Sequence, residues 1–98
     1  MIIISDAENQ LALYRQQKYA WETQNPLKVW RSGLHLFQAD ISGTFHVSLP
    51  TISAWETGKS LPSDTYWPII TEVLGIKDVE DVWKAWYDKK PVFGGTDG

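Results

Sequence analysis

Residues 47–62 read VSLPTISAWETGKSLP. Ser48 suits a helix N-cap, because its hydroxyl can accept from an orphan backbone N–H of the first turn. Pro50 falls in that first turn, where its missing N–H is tolerated. Ile52 and Trp55 lie three apart and mark an inward face. Gly58 ends the run in the manner of a glycine at C′. The stretch therefore predicts a short helix over residues 49–57. Its outward face would carry Leu49, Pro50, Thr51, Ser53 and Ala54, all uncharged and mostly small.

The residues before it, QADISGTFHV, predict a partner helix over residues 38–45. Ile41 and Phe45 form its apolar pair, and Ser42 and Gly43 are small where two backbones would approach. Val47 and Ser48 make the turn. Two short helices joined this way, locked by Ile41, Phe45, Val47, Ile52 and Trp55, leave one face of the second helix projecting. Small uncharged side chains on such a helix can enter a DNA major groove without clashing.

Working outward, every further element reads as helix, with short connections, no strand signal and no internal repeat. Ser5 followed by Glu8 is a capping box. The run after it, to about Gln24, has no Gly or Pro. Ala7, Leu11, Tyr14 and Trp21 make a thin apolar stripe there, interrupted by Lys18. Asn25-Pro26 starts the next helix, with Leu27, Trp30 and Leu34 on its buried side and Gly33 near its end. In LPSDTYWPIITEVLGI, a helix starting at Asp64 or Thr65 would keep Pro68 in the first turn. Its apolar face would be Ile69, Ile70, Val73 and Leu74, capped by Gly75. Asp78 then N-caps a last helix with Val79, Val82, Trp83 and Trp86 at helical spacing. Lys89, Lys90 and Pro91 suit its end, and VFGGTDG reads as a frayed tail.

Residues 27–76 resemble the helix-turn-helix domain of the Cro/cI-type (Xre) family. Leu36, Gln38, Ile41 and Ser42 match one family run. Val47, Ser48, Thr51, Ile52, Ser53, Trp55, Glu56, Gly58 and Pro62 match a second and more specific one, and Leu74-Gly75-Ile76 matches the ending of the fourth family helix. The resemblance covers roughly half the chain. It implies a compact all-α, five-helix Cro/cI-repressor-like domain with an extra N-terminal helix. The implied division is an N-terminal helical extension (1–25), the helix-turn-helix domain (26–76), a C-terminal helix (77–90) and a flexible tail (91–98).

The resemblance also implies roles. Gln38 would contact DNA phosphate and buttress the recognition helix. Ser48, Leu49, Pro50, Thr51, Ser53 and Ala54 would lie at the groove, and Arg31 would pair with Glu56 across the fold. Lys28 and Lys59 would position the phosphates. Four positions depart from the family pattern. Phe37 stands where a Ser or Thr N-cap is common, and His46 stands at the usual turn glycine, which demands a left-handed backbone. Leu49 and Ala54 replace long polar readers. They can touch thymine methyls but cannot form bidentate hydrogen bonds to bases.

Composition bounds the rest. A chain of 98 residues suits one small domain. It has no Cys, which excludes disulfides and thiolate metal sites. No apolar run approaches the length of a signal or membrane segment, so the expectation is a cytoplasmic protein without a membrane partner. His35 and His46 sit on different elements with no Cys nearby, so neither a metal nor another cofactor is expected. The acids Asp78, Glu80 and Asp81 open a helix, where acids belong. No nucleophile motif surrounds the serines, so no catalytic residues are expected. The six Trp residues are expected to be mostly core.

The net charge of −3 argues against strong nonspecific DNA binding. Between residues 26 and 76 the cations are Lys28, Arg31 and Lys59, against Asp40, Glu56, Asp64 and Glu72. The reading is a small transcriptional regulator of repressor type that binds double-stranded DNA as a homodimer. The dimer surface is expected on the last helix (Trp83, Trp86, Tyr87) or the N-terminal one (Leu11, Tyr14, Trp21). The alternative is a protein-interaction module on the same fold, presenting Leu49 and Pro50 to a transcription component or partner regulator.

Overall fold

Local capping chemistry sets most helix boundaries. The computed structural model describes residues 6–93; the expectations for the Ser5 capping box and for residues 94–98 of the tail lie outside them. Among the described residues there are six helices and no strand: α1 (Asp6–Glu22), α2 (Pro26–Gly33), α3 (Gln38–Phe45), α4 (Leu49–Thr57), α5 (Trp67–Leu74) and α6 (Val79–Asp88). Asn25 starts α2 by accepting the Lys28 N–H on its side-chain oxygen at 3.0 Å, with Pro26 in the first turn. Ser48 starts α4 in the same way, accepting from the Thr51 N–H at 3.3 Å. Gly58 and Gly75 end α4 and α5 in the left-handed conformation, as C-terminal glycines commonly do.

Two helix starts differ from the sequence reading. Helix α5 begins at Trp67, not at Asp64 or Thr65. Residues 64–66 form a turn in which the Tyr66 N–H donates to Ser63 O at 2.9 Å, and Pro68 still falls in the first helical turn. Asp78 occupies the N-cap position of α6 but its side chain makes no cap bond, because its backbone is not extended (φ −104°, ψ 28°) as a capping residue's usually is. At the start of the tail, Phe93 packs edge-on against Tyr14 of α1, with ring centroids 5.6 Å apart.

The core is one cluster. Leu27, Ile41, Phe45, Ile52, Trp55, Trp67, Ile70, Leu74, Val79, Trp83 and Trp86 are buried together, with Trp21 reaching in from α1. Trp55, Trp67 and Trp83 meet edge to face, at 5.4 Å for Trp67–Trp83 and 6.5 Å for Trp55–Trp83. Large rings supply much buried area per residue, which a domain of this size needs. Several residues assigned to inward faces turn out instead to be exposed: Ala7, Leu34, Ile69 and Val82. They flank stripes narrower than the periodicity suggested. Gly43 is exposed, and a Cβ placed on it would meet nothing within 4 Å. The α3–α4 approach therefore uses Ser42, whose hydroxyl donates to Val47 O, and not Gly43.

Helix α1 is held at its last turn. The Trp21 ring stacks on Trp86 at 4.0 Å and an interplanar angle of 1°. Each indole N–H donates to the other residue's carbonyl at 2.7 Å. The same Trp21 ring lies over Gly58: a Cβ there would collide with Cη2 and sit 3.1 Å from Cζ3. One residue thus joins the ends of α1, α4 and α6.

Candidate nucleic-acid interface

The α3–α4 unit is fixed from both sides. On its inner side Phe45 and Trp55 meet edge to face at 6.3 Å. His46 forms the turn in the left-handed region (φ 56°, ψ 42°), and its N–H donates to Ser42 O. At the start of α3, Phe37 occupies the N-cap position without a side-chain bond. Only the reciprocal half of a capping box exists there: the Phe37 N–H donates to the Asp40 carboxylate at 2.8 Å.

Beneath α4 lies a buried ionic network. Glu56 is 2% exposed and accepts from Arg31 Nε at 2.8 Å and Arg31 Nη2 at 2.7 Å. Gln38 Nε2 donates to Glu56 Oε1 at 3.1 Å, and Arg31 Nη1 donates to Leu36 O at 3.0 Å. The paired fork matches guanidinium to carboxylate. It also places a positive charge near the C-terminal end of α4, where the helix dipole is negative. The Glu56 hydrogen bond, aided by its charge, holds the Arg31 guanidinium above its ordinary range, against a smaller opposing effect of burial. The network ties α2, α3 and α4 into one rigid mount. Gln38 acts in it as a buttress, since its amide points to Glu56.

The outward face of α4 divides in two. Ser48, Leu49 and Pro50 at the N-terminal end are exposed. Thr51, Ser53 and Ala54, expected to be exposed, are half-buried. The Ser48 and Thr51 hydroxyls lie 2.9 Å apart and share a hydrogen bond. Ser53 and Ala54, with Pro50 and Thr57, line one wall of a groove of ≈340 Å³. The other lining residues are Lys18 and Glu22 of α1, Lys59 and Lys90. The extra N-terminal helix therefore shields the far half of the expected reading face and leaves the near half open.

Lys59 stands directly after α4 and is exposed, whereas Lys28 lies half-buried on α2. Sequence reasoning missed Lys18 and Lys90, because only tertiary packing brings α1 and the end of α6 beside α4. Among the described residues, no group of three or more His, Cys, Asp or Glu side chains could hold a metal ion. No helix among them is long and apolar enough to cross a membrane.

The expected dimer surfaces need correction. Trp21, Trp83 and Trp86 are all buried within the chain, so they are not available to a second copy. Tyr87, Leu11 and Tyr14 are half-buried. Apolar side chains that do remain exposed include Ile69 on α5 and Val82 on α6, two helices that pack together, and Leu34 and Phe37 between α2 and α3. Comparison with protein-family models, curated proteins and solved structures gives no match.

Proposed function

We propose that this protein binds double-stranded DNA as a small transcriptional regulator of repressor type, with the N-terminal half of α4 entering the major groove. One observation carries the reading. The exposed end of α4 bears Ser48, Leu49 and Pro50 on a helix that the Arg31–Glu56–Gln38 network and the Phe45–Trp55 contact hold rigid. Uncharged side chains on a rigid helix end dock without desolvating a charge, and recognition helices read bases from their N-terminal residues. Thr51 supplies a hydroxyl for base edges and Leu49 an apolar contact for thymine methyls. Lys59 and Lys28 contribute to backbone positioning. The resemblance to the Cro/cI-type (Xre) family supports the same assignment. A homodimer would set two such helices about 34 Å apart on a pseudo-palindrome, with Ile69 and Val82 the exposed apolar residues best placed on neighbouring helices to meet a second copy.

A second reading has its own support. Phe37 is 76% exposed, and Leu34 and Leu49 are exposed as well, which suits a protein partner such as a transcription component. One titration separates the two. The protein is added to mixed duplex DNA at several salt concentrations. DNA binding gives an affinity that falls with salt and a sequence preference weakened by Thr51→Ala. Absence of salt-dependent binding, together with loss of a partner interaction in Leu49→Asp but not in Thr51→Ala, favours the protein interface.

A further inference from the structure

Lys18, Lys59 and Lys90 come from three separate parts of the chain and line one groove, with Glu22 as its single carboxylate. Among the described residues the salt bridges are Arg31–Glu56 and Lys84–Glu80, so none of these three lysines is in direct salt-bridge contact with a described carboxylate, and Glu22 offsets at most one of the three charges. Lys90 is held in place: its Nζ donates to Gly58 O at 3.1 Å, at the C-terminal end of α4. The Trp21–Trp86 pair docks the last turn of α1, and Lys18 lies about one helical turn before Trp21 on the same helix. In a protein with a net charge of −3, this is a local concentration of cations beside the helix assigned to the major groove. Bringing like charges together is unfavourable unless an anion answers them. The opposite wall, Pro50, Ser53, Ala54 and Thr57, is uncharged and mostly small, so it sets no side-chain charge or bulk against a phosphate held by the lysines.

We propose that this groove is a clamp for the sugar-phosphate backbone, in which Lys18 and Lys90 join Lys59 in holding one DNA strand beside the major groove that α4 enters. The N-terminal helix is then a DNA-contacting element and not an appendage. The clamp rests on the DNA-binding reading above and extends it to residues outside the helix-turn-helix segment.

The test is the salt dependence of duplex binding by fluorescence anisotropy, for wild type, Lys18→Gln, Lys90→Gln and the double variant. Each neutralised phosphate contributes about 0.9 to the slope of log affinity against log salt. Each lost lysine should therefore flatten the slope by about 0.9, and wild type should lose roughly 3.5-fold more affinity per contact over a fourfold rise in salt. The loss should be equal on preferred and random duplexes, because phosphate contacts carry no sequence information. Lys84→Gln, paired with Glu80 elsewhere on α6, should leave the slope unchanged. Lys90 also bonds Gly58 O, so Lys18→Gln is the arm free of that contact. If wild type binds duplex with a salt-dependent affinity and Lys18→Gln with Lys90→Gln leaves the slope as it was, the clamp is wrong and the DNA reading stands. If wild type binds no duplex at any salt, both fall. Saturable inorganic phosphate at the groove, seen by amide shifts of Ser53 and Ala54, with duplex affinity indifferent to both lysines, would assign the groove to a free anion and overturn the clamp.

Discussion

Gly58 meets two demands at once, and a substitution can separate them. Its backbone is left-handed (φ 75°), and its Cα faces the Trp21 ring. Gly75 is also left-handed (φ 71°), but a Cβ on it would meet nothing within 4 Å. Gly75→Ala should therefore cost only backbone strain, about 1–2 kcal/mol, less a few tenths from the stiffer unfolded chain. Gly58→Ala carries the same strain and must also displace Trp21. That breaks the hydrogen bond from the Trp21 indole N–H to Trp86 O, about 1 kcal/mol, and a stacked ring pair worth about 0.5–1.5 kcal/mol. The additional cost is about 1.5–2.5 kcal/mol, against a total stability of about 5–15 kcal/mol for a domain of this length. Urea unfolding followed by tryptophan fluorescence and far-ultraviolet circular dichroism measures both variants. In a Trp21→Leu background the obstructing ring is gone, so Gly58→Ala should cost no more than Gly75→Ala. Equal costs for Gly58→Ala with and without Trp21 would refute the claim that this ring fixes α1 against α4.

Other consequences follow from the same packing. Arg31→Met should destabilise by about 3–5 kcal/mol in urea melts, because it leaves Glu56 charged and buried without its partner; a cost below about 1 kcal/mol would mean that water reaches Glu56. The Arg31 guanidinium is raised above its ordinary range, so its contribution is complete at all pH values below that range and is lost only as pH rises through the raised value. The stability gap between wild type and Arg31→Met should accordingly stay level from neutral pH into the alkaline range of lysine. Phe37→Ser should raise stability by about 1 kcal/mol, since it supplies the missing N-cap of α3 at an exposed position; a loss of stability would show that the exposed ring packs on something. His46→Gly should also raise the melting temperature, because it relieves a left-handed residue, and a lowered melting temperature would contradict the strain at that turn.

The elements legible in the sequence were those set by local chemistry. The bounds of α3 and α4 follow from Ser48, Pro50, Gly58 and the Ile41–Phe45 and Ile52–Trp55 spacings, all of which act within a few residues. The left-handed turn at His46 was legible for the same reason. The start of α5 was not, because Asp64 and Thr65 have the side chains of N-caps and only the turn closed by the Tyr66 N–H on Ser63 O postpones the helix. Periodicity marked Trp21, Trp83 and Trp86 as apolar but could not say whether the chain or a partner covers them. That answer depends on a stacked pair 65 residues apart in sequence. The charge count along residues 26–76 likewise missed the basic groove, because Lys18 and Lys90 lie outside that segment and reach α4 only through the fold. The half-shielding of Ser53 and Ala54 has the same origin.

The central claim is that the open end of α4 reads duplex DNA. Selection of bound sequences from a random duplex pool tests it most directly. The account predicts enrichment of a short site, repeated about one helical turn apart if the protein acts as a dimer, and lost or altered in Thr51→Ala. A pool that returns no enriched sequence after selection, from protein whose fold is intact by circular dichroism, would contradict it.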